Sequence, residues 1–185
     1  PATRTLTFHS IKSGMGPEYC GDILVSDLPW PPEVQDCGPG DSQRYPPLES
    51  GARKGDRGRL LVIGGGPYHG APILSGMAAA RSGCDLVHVA MPSRAARRCE
   101  WPTSIIPEEL PEEDLLTMSS MPSIEGIIQS GRRPDSIVIG PGLGRDERTT
   151  EAVRAILEMT TEGGIPVVVD ADAIGALPQG EWPRG

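Results

Sequence analysis

The sequence lacks the patterns that usually identify metal-binding, membrane and disulfide-rich proteins. Its four cysteines form no C-x-x-C pair and its three histidines are scattered, so it has no recognisable zinc or dithiol motif. A domain of this size does not need disulfides, and we expect free thiols in a reducing compartment. No apolar run approaches the ~20 residues of a membrane span, and no secretory signal opens the chain. These absences predict a soluble, cytoplasmic protein with no membrane partner.

Basic residues are scarce relative to acidic ones. The chain carries 17 Lys and Arg against 25 Asp and Glu, a formal net charge of −8. Because nucleic-acid binding needs a basic face, we expect no nucleic-acid partner. The segment 99–131 has seven acidic residues and no Lys or Arg, and we interpret it as a solvated surface.

What is present indicates a globular protein with many turns. Of the 185 residues 37% are hydrophobic, and the chain contains 24 Gly and 20 Pro. A Pro- and Gly-rich stretch, residues 33–51, predicts a linker between a short segment, 1–32, and a main domain, 52–185. The short segment has two predicted strands, Arg4–Phe8 and Asp22–Ser26.

The main domain alternates predicted strands and helices. The strands are Leu60–Ile63, Leu86–Ala90, Ser104–Ile106, Ser136–Ile139 and Pro166–Val169. The helices are Pro72–Ser82, Ser123–Gln129 and Thr149–Met159, and another begins in the sequence DADAIGAL after Val169. This order predicts an α/β fold with a doubly wound, mainly parallel sheet and helices on both faces. Such a sheet normally continues further, so we expect this chain to be part of a longer product.

The first candidate motif is GGGPYHGAP, residues 64–72, between a buried strand and a helix. Glycines there allow a sharp turn, and free N–H groups at a helix start attract phosphate. Gly65, Gly66, Gly70 and Tyr68 are the candidate phosphate contacts. The spacing differs from the dinucleotide fingerprint G-x-G-x-x-G, and the same turn could serve helix–strand packing alone.

Two more motifs follow later strands. In GPGLGRD, residues 140–146, Gly142 and Gly144 suit a backbone that passes close to a ligand, or a tight strand-to-helix connection. In VVVDADAIGAL, Asp170 and Asp172 could hold Mg²⁺ through water, orient a hydroxyl or cap the next helix. Since ligands bind beyond the carboxyl ends of parallel strands, we expect all three motifs to line one crevice.

Two arginines, Arg81 and Arg145, are candidate phosphate partners or ordinary surface residues. Tyr68 and His69 could flank a ligand ring. The chain contains neither a G-x-S-x-G elbow nor the P-loop pattern, which argues against a hydrolase and against an ordinary P-loop NTPase.

Taken together, the segments KGDRGRLLVIGGGPYHGAPILSGMAAARSG, DSIVIGPGLGRDE and PVVVDADAI resemble the NAD(P)H-hydrate dehydratases, which have a ribokinase-like fold. The resemblance covers about Lys54 to Leu177. The earlier segments TRTLTFHSIKSGM and EYCGDILVSDLPWPPE resemble the end of an NAD(P)H-hydrate epimerase domain, as in bifunctional repair proteins.

The resemblance implies repair of hydrated NADH or NADPH by dehydration at the expense of ADP or ATP, with Mg²⁺. It implies that Ala71 and Gly142 or Gly144 contact the hydrate, and that Asp170 and Asp172 line the same crevice. It also implies a homo-oligomer, a tetramer by family. Neither the ADP or ATP preference nor the preferred hydrate follows from the sequence.

Three family segments are not in this chain. They are a Pro-His substrate motif, a Lys-Gly nucleotide segment and a Gly-x-Gly-Asp turn with the catalytic Asp, which we expect beyond Gly185. The chain would then contain no catalytic residue and show little or no turnover. The alternatives are a ribokinase-like small-molecule kinase and a non-catalytic nucleotide-binding fragment.

Overall fold

The computed structural model describes residues 2–8, 10–26, 50–131 and 133–178. The chain divides into two compact units, Pro1–Glu49 and Ser50–Gly185. Most of the predicted linker, residues 33–51, lies outside the described residues, so the proposed domain boundaries stay predictions. Within the described ranges, no helix is both long and apolar enough to cross a bilayer.

The first unit contains a pair of parallel strands. Strand β1 (Arg4–Phe8) is followed by the one-turn helix α1 (Pro17–Cys20) and by β2 (Asp22–Ser26), which confirms both predicted strands. Leu6 lies opposite Leu24 in the register. Because alternate residues share one face, Leu6, Phe8 and Leu24 form an apolar face, and they are 60%, 51% and 50% exposed.

The second unit is a five-stranded parallel sheet with the strand order β5-β4-β3-β6-β7. Its strands are β3 (Arg59–Ile63), β4 (Leu86–Pro92), β5 (Ile106–Leu110), β6 (Ser136–Ile139) and β7 (Val167–Val169). Its α-helices are α2 (Gly70–Arg81), α3 (Ser93–Arg97), α4 (Met121–Gln129) and α5 (Glu147–Glu162). A 3₁₀ helix at Met118–Ser120 precedes α4, and another at Ala171–Ala176 follows β7. The predicted fold class is confirmed.

Both faces of the sheet are covered. Leu61 and Ile63 of β3 belong to one core with Ile124 of α4 and Ile156 of α5. Val62, between them in sequence, belongs to the other core, which Ile73 and Met77 of α2 also join. This alternation explains why β3 reads as a continuous apolar run. From β3 the chain builds outward to β5 and then returns to the other side of β3, so winding reverses between β3 and β6.

Most observed elements differ from the predicted ones by one to four residues at an end, and α3 is a helix that the sequence analysis did not predict. Three of the differences are the following. Strand β5 begins at Ile106 and not at Ser104, because the Ile105 N–H donates to the Pro102 carbonyl in a turn. Helix α2 begins at Gly70, two residues before Pro72, since the first helical turn tolerates a residue without an N–H. The last predicted helix forms as the 3₁₀ helix Ala171–Ala176.

Candidate functional site

Three turns lie at the carboxyl ends of the adjacent strands β3, β6 and β7. We call residues 64–69 the first glycine turn, residues 140–146 the second glycine turn and residues 170–172 the aspartate turn. Because these strands are parallel neighbours, their carboxyl ends meet at one edge of the sheet. The two glycine turns flank the point where winding reverses, which is where open α/β sheets bind ligands.

The two glycine turns are in direct contact. The Gly65 N–H donates a 2.9 Å hydrogen bond to the Pro141 carbonyl. A methyl group placed on Gly66 would lie 3.7 Å from the Gly142 carbonyl oxygen, and one on Gly144 would lie 3.0 Å from Cγ of Pro67. The prediction that these motifs occupy the same edge of the sheet is therefore correct.

Glycine is required at two positions in the second turn. Gly142 has φ +72°, and a methyl group there would collide with the Tyr68 carbonyl oxygen of the first turn. Gly140 has φ +127°, and a methyl group there would collide with the Asp170 carbonyl oxygen of the aspartate turn. Both positions combine a left-handed backbone with close approach of a neighbouring loop, so both reasons for glycine apply.

The backbone amides of the site divide into two groups. The Gly65 N–H is bound to Pro141, and the Gly144 N–H donates to Oδ2 of Asp172 at 2.9 Å. Among the described residues, the Gly66 and Gly142 N–H groups donate to no protein acceptor. The Gly65 and Gly144 amides thus make hydrogen bonds within the protein, while the Gly66 and Gly142 amides make none among the described residues.

The start of α2 adds two more amides to this edge. Gly70 and Ala71 are its first two residues, both are exposed, and first-turn N–H groups have no acceptor within the helix. Tyr68, just before them, is 68% exposed. These residues lie at the position along the chain that the first motif predicts.

The two aspartates of the third motif have different surroundings. The Asp170 side chain is exposed and makes no capping hydrogen bond to the 3₁₀ helix that it precedes. The Asp172 side chain is 21% exposed, accepts from Gly144, and has Oδ1 3.7 Å from Nε of Arg145. Neither aspartate side chain therefore caps the 3₁₀ helix.

Of the two candidate arginines, only one lies at the site. Arg145 lies in the second glycine turn and its side chain is 92% exposed. Arg81 lies in the last turn of α2, at the opposite end of a 12-residue helix from the first glycine turn. At 1.5 Å per residue that helix is about 17 Å long. Arg81 therefore does not join the site.

Asp146 fixes the start of α5, directly after the second glycine turn. Its carboxylate accepts the Arg148 N–H at 3.0 Å and also binds the Arg148 guanidinium. The Arg148 side chain and then its backbone N–H lower the pKa of Asp146 below its ordinary value. The carboxylate thus remains charged at neutral pH and caps the helix.

Sequence reasoning missed the segment after β5, which lies beside the first glycine turn. A methyl group on Gly66 would lie 3.0 Å from the Asp114 carbonyl oxygen. This segment is held by α3, because Arg94 of that helix forms ion pairs with Glu113 and, at 2.7 Å, with Asp114. The acidic segment is thus partly paired and not only solvated. No local pattern signals this, since the cations lie outside the segment 99–131.

His, Cys, Asp and Glu side chains, the types that bind metal ions, are present among the described residues. Within the described ranges, no group of three or more His, Cys, Asp or Glu side chains is arranged to hold a metal ion. Cys20, Cys84 and Cys99 are free thiols.

Comparison with known proteins agrees with these observations. Residues 60–182 match the family described as NAD(P)H-hydrate dehydratase. The chain is 37% identical over 178 residues to a bifunctional NAD(P)H-hydrate repair enzyme of Methanothermobacter thermautotrophicus, covering 94% of this chain and 34% of the relative. It is 38% identical over 136 residues to an ATP-dependent (S)-NAD(P)H-hydrate dehydratase of Emericella nidulans, covering 70% of this chain and 37% of that one. The chain thus spans about a third of the length of these relatives.

Solved structures place the fold. A ribokinase-like superfamily protein of Enterococcus faecalis has a TM-score of 0.54 at 23% identity, covering 70% of this chain and 42% of that one. A hypothetical protein of Streptococcus mutans has a TM-score of 0.55 at 24% identity, covering 76% of this chain and 48% of that one. The sheet with its two layers of helices is therefore ribokinase-like. From the matched region and the shared identity, the chain belongs to the NAD(P)H-hydrate dehydratase family.

Proposed function

We propose that this chain is part of an enzyme that dehydrates hydrated NADH or NADPH at the expense of ATP or ADP. Family membership gives the reaction class, and the ATP dependence named for the Emericella nidulans relative favours ATP. The structural observation that carries the proposal is the contact between the two glycine turns, made by the Gly65–Pro141 hydrogen bond. That contact brings two sets of ligand-facing backbone to one crevice.

Each part of the crevice has an assigned role. The free N–H groups of Gly66 and Gly142 bind phosphate or another anionic part of the ligand. The first turn of α2, with Gly70 and Ala71, adds the positive end of a helix dipole. Tyr68 and Gly144 border the ligand, as do the carboxylates of the aspartate turn. We assign no catalytic residue to this chain.

The chemistry fits a kinase-like fold. Transfer of a phosphoryl group to the added hydroxyl makes it a good leaving group, and loss of phosphate and a proton then restores the dihydronicotinamide. Phosphoryl transfer depends on positioning and on charge neutralisation, which the backbone amides of this chain provide. Mg²⁺, which the family resemblance implies, would be held mainly by the nucleotide's phosphates, and the exposed Asp170 carboxylate is the protein group that would help to hold it.

The proposal is tested by binding before turnover. We expect the 185-residue chain, titrated in a calorimeter, to bind hydrated NADPH more tightly than NADPH itself. With hydrated NADH, ATP or ADP, and Mg²⁺, we expect little or no recovery of NADH fluorescence from this chain alone. No binding of the hydrate at millimolar concentration would contradict the proposed function. Robust recovery of NADH would contradict the expected incompleteness of the machinery.

Product analysis with a longer form of the protein separates the two enzyme classes. A dehydratase releases inorganic phosphate and NADH or NADPH in equal amounts. A small-molecule kinase leaves a stable phosphorylated product and no recovered dinucleotide. Finding that product would replace the dehydratase proposal by the kinase one.

The domain organisation and assembly also remain proposals. We infer that residues 1–32 are the end of an epimerase-type domain, joined by the linker 33–51 to the dehydratase-type domain 52–185. The apolar face of Leu6, Phe8 and Leu24 supports this, because two strands alone cannot bury it. Limited proteolysis should cut first between Pro32 and Gly51. Light scattering of the purified protein tests the proposed homo-oligomer, a tetramer.

A further inference from the structure

The carboxylate of Asp172 links the aspartate turn to the second glycine turn. Its Oδ2 accepts the Gly144 N–H at 2.9 Å, across 28 residues of sequence. Its Oδ1 lies 3.7 Å from Nε of Arg145, the next residue along that turn. One side chain therefore contacts two consecutive residues of the second glycine turn.

Gly144 also lies close to the first glycine turn. A methyl group on Gly144 would lie 3.0 Å from Cγ and 3.4 Å from Cδ of Pro67. Gly144 thus lies next to both Pro67 and the Asp172 carboxylate. Fixing Gly144 fixes the spacing between the two turns that form the crevice.

The backbone before Asp172 adopts a conformation that needs support. Ala171 has φ +46°, and it is the one non-glycine residue with positive φ within the described ranges. The Ala171 side chain is exposed, so its own burial does not hold this conformation. The neighbouring contacts do: Asp172 binds Gly144, and the buried Ala173 packs beneath Gly140. A strained residue held by its neighbours is characteristic of sites with a defined geometry.

Asp170 provides a natural contrast two residues earlier. Its carboxylate is exposed, and within the described residues it accepts no hydrogen bond. The two carboxylates of the DAD sequence therefore do different things: one faces outward, and the other is occupied by the protein backbone.

We propose that Asp172 is a positioning residue, which sets the second glycine turn for the ligand through the Gly144 N–H and does not act through its own charge. This rests on the proposed function, because the turn that it fixes is the one assigned to the hydrated dinucleotide. The required property is an acceptor atom at the Asp172 position and not a negative charge.

The test compares three variants in the 185-residue chain. Asp172→Ala removes the acceptor, Asp172→Asn keeps an acceptor oxygen without the charge, and Glu125→Ala, at an exposed carboxylate on α4 outside the site, is the control. The first readout is hydrogen exchange at the Gly144 amide by NMR, which needs no ligand. The second is the affinity for hydrated NADPH. We expect Asp172→Ala to speed exchange at Gly144 at least about tenfold and to weaken binding by a similar factor. Asp172→Asn should stay within about threefold of the unaltered chain in both readouts.

Each result decides the matter. Unchanged exchange at Gly144 in Asp172→Ala would show that the hydrogen bond does not hold the turn. Equal loss of binding in Asp172→Ala and Asp172→Asn, with Gly144 still protected in the latter, would show that the charge itself is used. Either outcome overturns the proposal. If the unaltered chain does not bind the hydrate, the proposed function fails and the ligand role of Asp172 fails with it, whereas the exchange result still decides whether Asp172 holds Gly144.

Discussion

The Gly65 N–H donates to the Pro141 carbonyl at 2.9 Å, and this hydrogen bond joins two turns that are 76 residues apart in sequence. The bond occupies the Gly65 N–H, which the glycine-rich sequence alone would assign to a ligand. The same bond holds Gly66 near Gly142, and the N–H groups of these two residues have no acceptor within the described residues. The Gly65–Pro141 bond therefore preorganises the site that we propose for the ligand.

Replacing Gly142 should disrupt this alignment. Gly142→Ala places a methyl group against the Tyr68 carbonyl oxygen and forces alanine to φ +72°. We expect the free energy of unfolding to fall by at least about 2 kcal/mol, measured by urea denaturation. Gly175→Ala is the control, since a methyl group there meets nothing within 4 Å. Equal stability of the two variants would contradict the close contact between the turns.

Gly70 should be replaceable for folding but not for binding. A methyl group on Gly70 meets nothing within 4 Å, and the same holds for Gly126 on α4. We expect Gly70→Ala and Gly126→Ala both to leave the melting temperature unchanged or higher, because alanine favours helix by up to about 1 kcal/mol. In calorimetric titration, Gly70→Ala alone should weaken the binding of hydrated NADPH. Unchanged binding in Gly70→Ala would exclude the space beside Gly70 from the ligand site.

The backbone strain at Ala171 predicts that replacing this alanine by glycine does not lower the free energy of unfolding, which is the opposite of the usual effect. Glycine in mid-helix ordinarily costs about 0.5–1 kcal/mol relative to alanine, and Ala78→Gly in α2 should show this cost. At Ala171, φ +46° penalises alanine by about 1–2 kcal/mol, so Ala171→Gly should be neutral or stabilising. Urea denaturation of both variants measures the difference. A loss at Ala171 as large as that at Ala78 would refute the strained conformation.

Asp85 should make stability depend on pH. Its carboxylate accepts the N–H groups of Gly55 at 2.8 Å and Arg57 at 3.2 Å, and these two bonds, in that order, lower its pKa below the ordinary 3.8. Because the folded pKa is the lower one, this stabilisation is complete above the unfolded value and is lost as pH falls through the folded value.

Unfolding by urea between roughly pH 5 and pH 2 tests this dependence. Asp85→Asn keeps an acceptor but does not titrate, so its stability should fall less steeply with acid than that of the unaltered chain. Glu125→Gln, which removes one exposed carboxylate from α4, is the charge-matched control. If the Asp85→Asn and unaltered chains give parallel curves, Asp85 does not contribute to acid sensitivity.

Two thiols should react slowly in the folded protein. Burial is the main effect at both Cys84 and Cys99, and it raises the pKa of each thiol. Since the thiolate is the reactive form, iodoacetamide at pH 8 should alkylate both more slowly than it alkylates a free thiol such as glutathione. Mass spectrometry of digested samples follows each site, and urea should abolish the difference. Equal rates for folded and unfolded protein would contradict the protection by burial.

The sequence predicted the elements of the second unit well because their signals are local. The apolar runs of β3 and β6, and the helical spacing in α5, depend on neighbouring residues alone. The errors lie where a turn or a cap competes with that pattern, as at Ser104, where the chain turns before β5 begins. The position of the motifs at one edge also followed from sequence, since parallel strands with crossover helices leave no other arrangement.

The sequence by itself determined the parallel sheet, the two glycine turns and the edge where they meet, because these follow from periodicity and from the backbone freedom of glycine. Only the tertiary structure decided that the Gly65 and Gly144 amides donate to Pro141 and Asp172, and that the Asp170 carboxylate is the exposed one. It also placed the Asp114 carbonyl beside Gly66. The physical reason is that a hydrogen bond needs two partners at about 2.9 Å, and partners distant in sequence reach that distance only once the sheet has assembled.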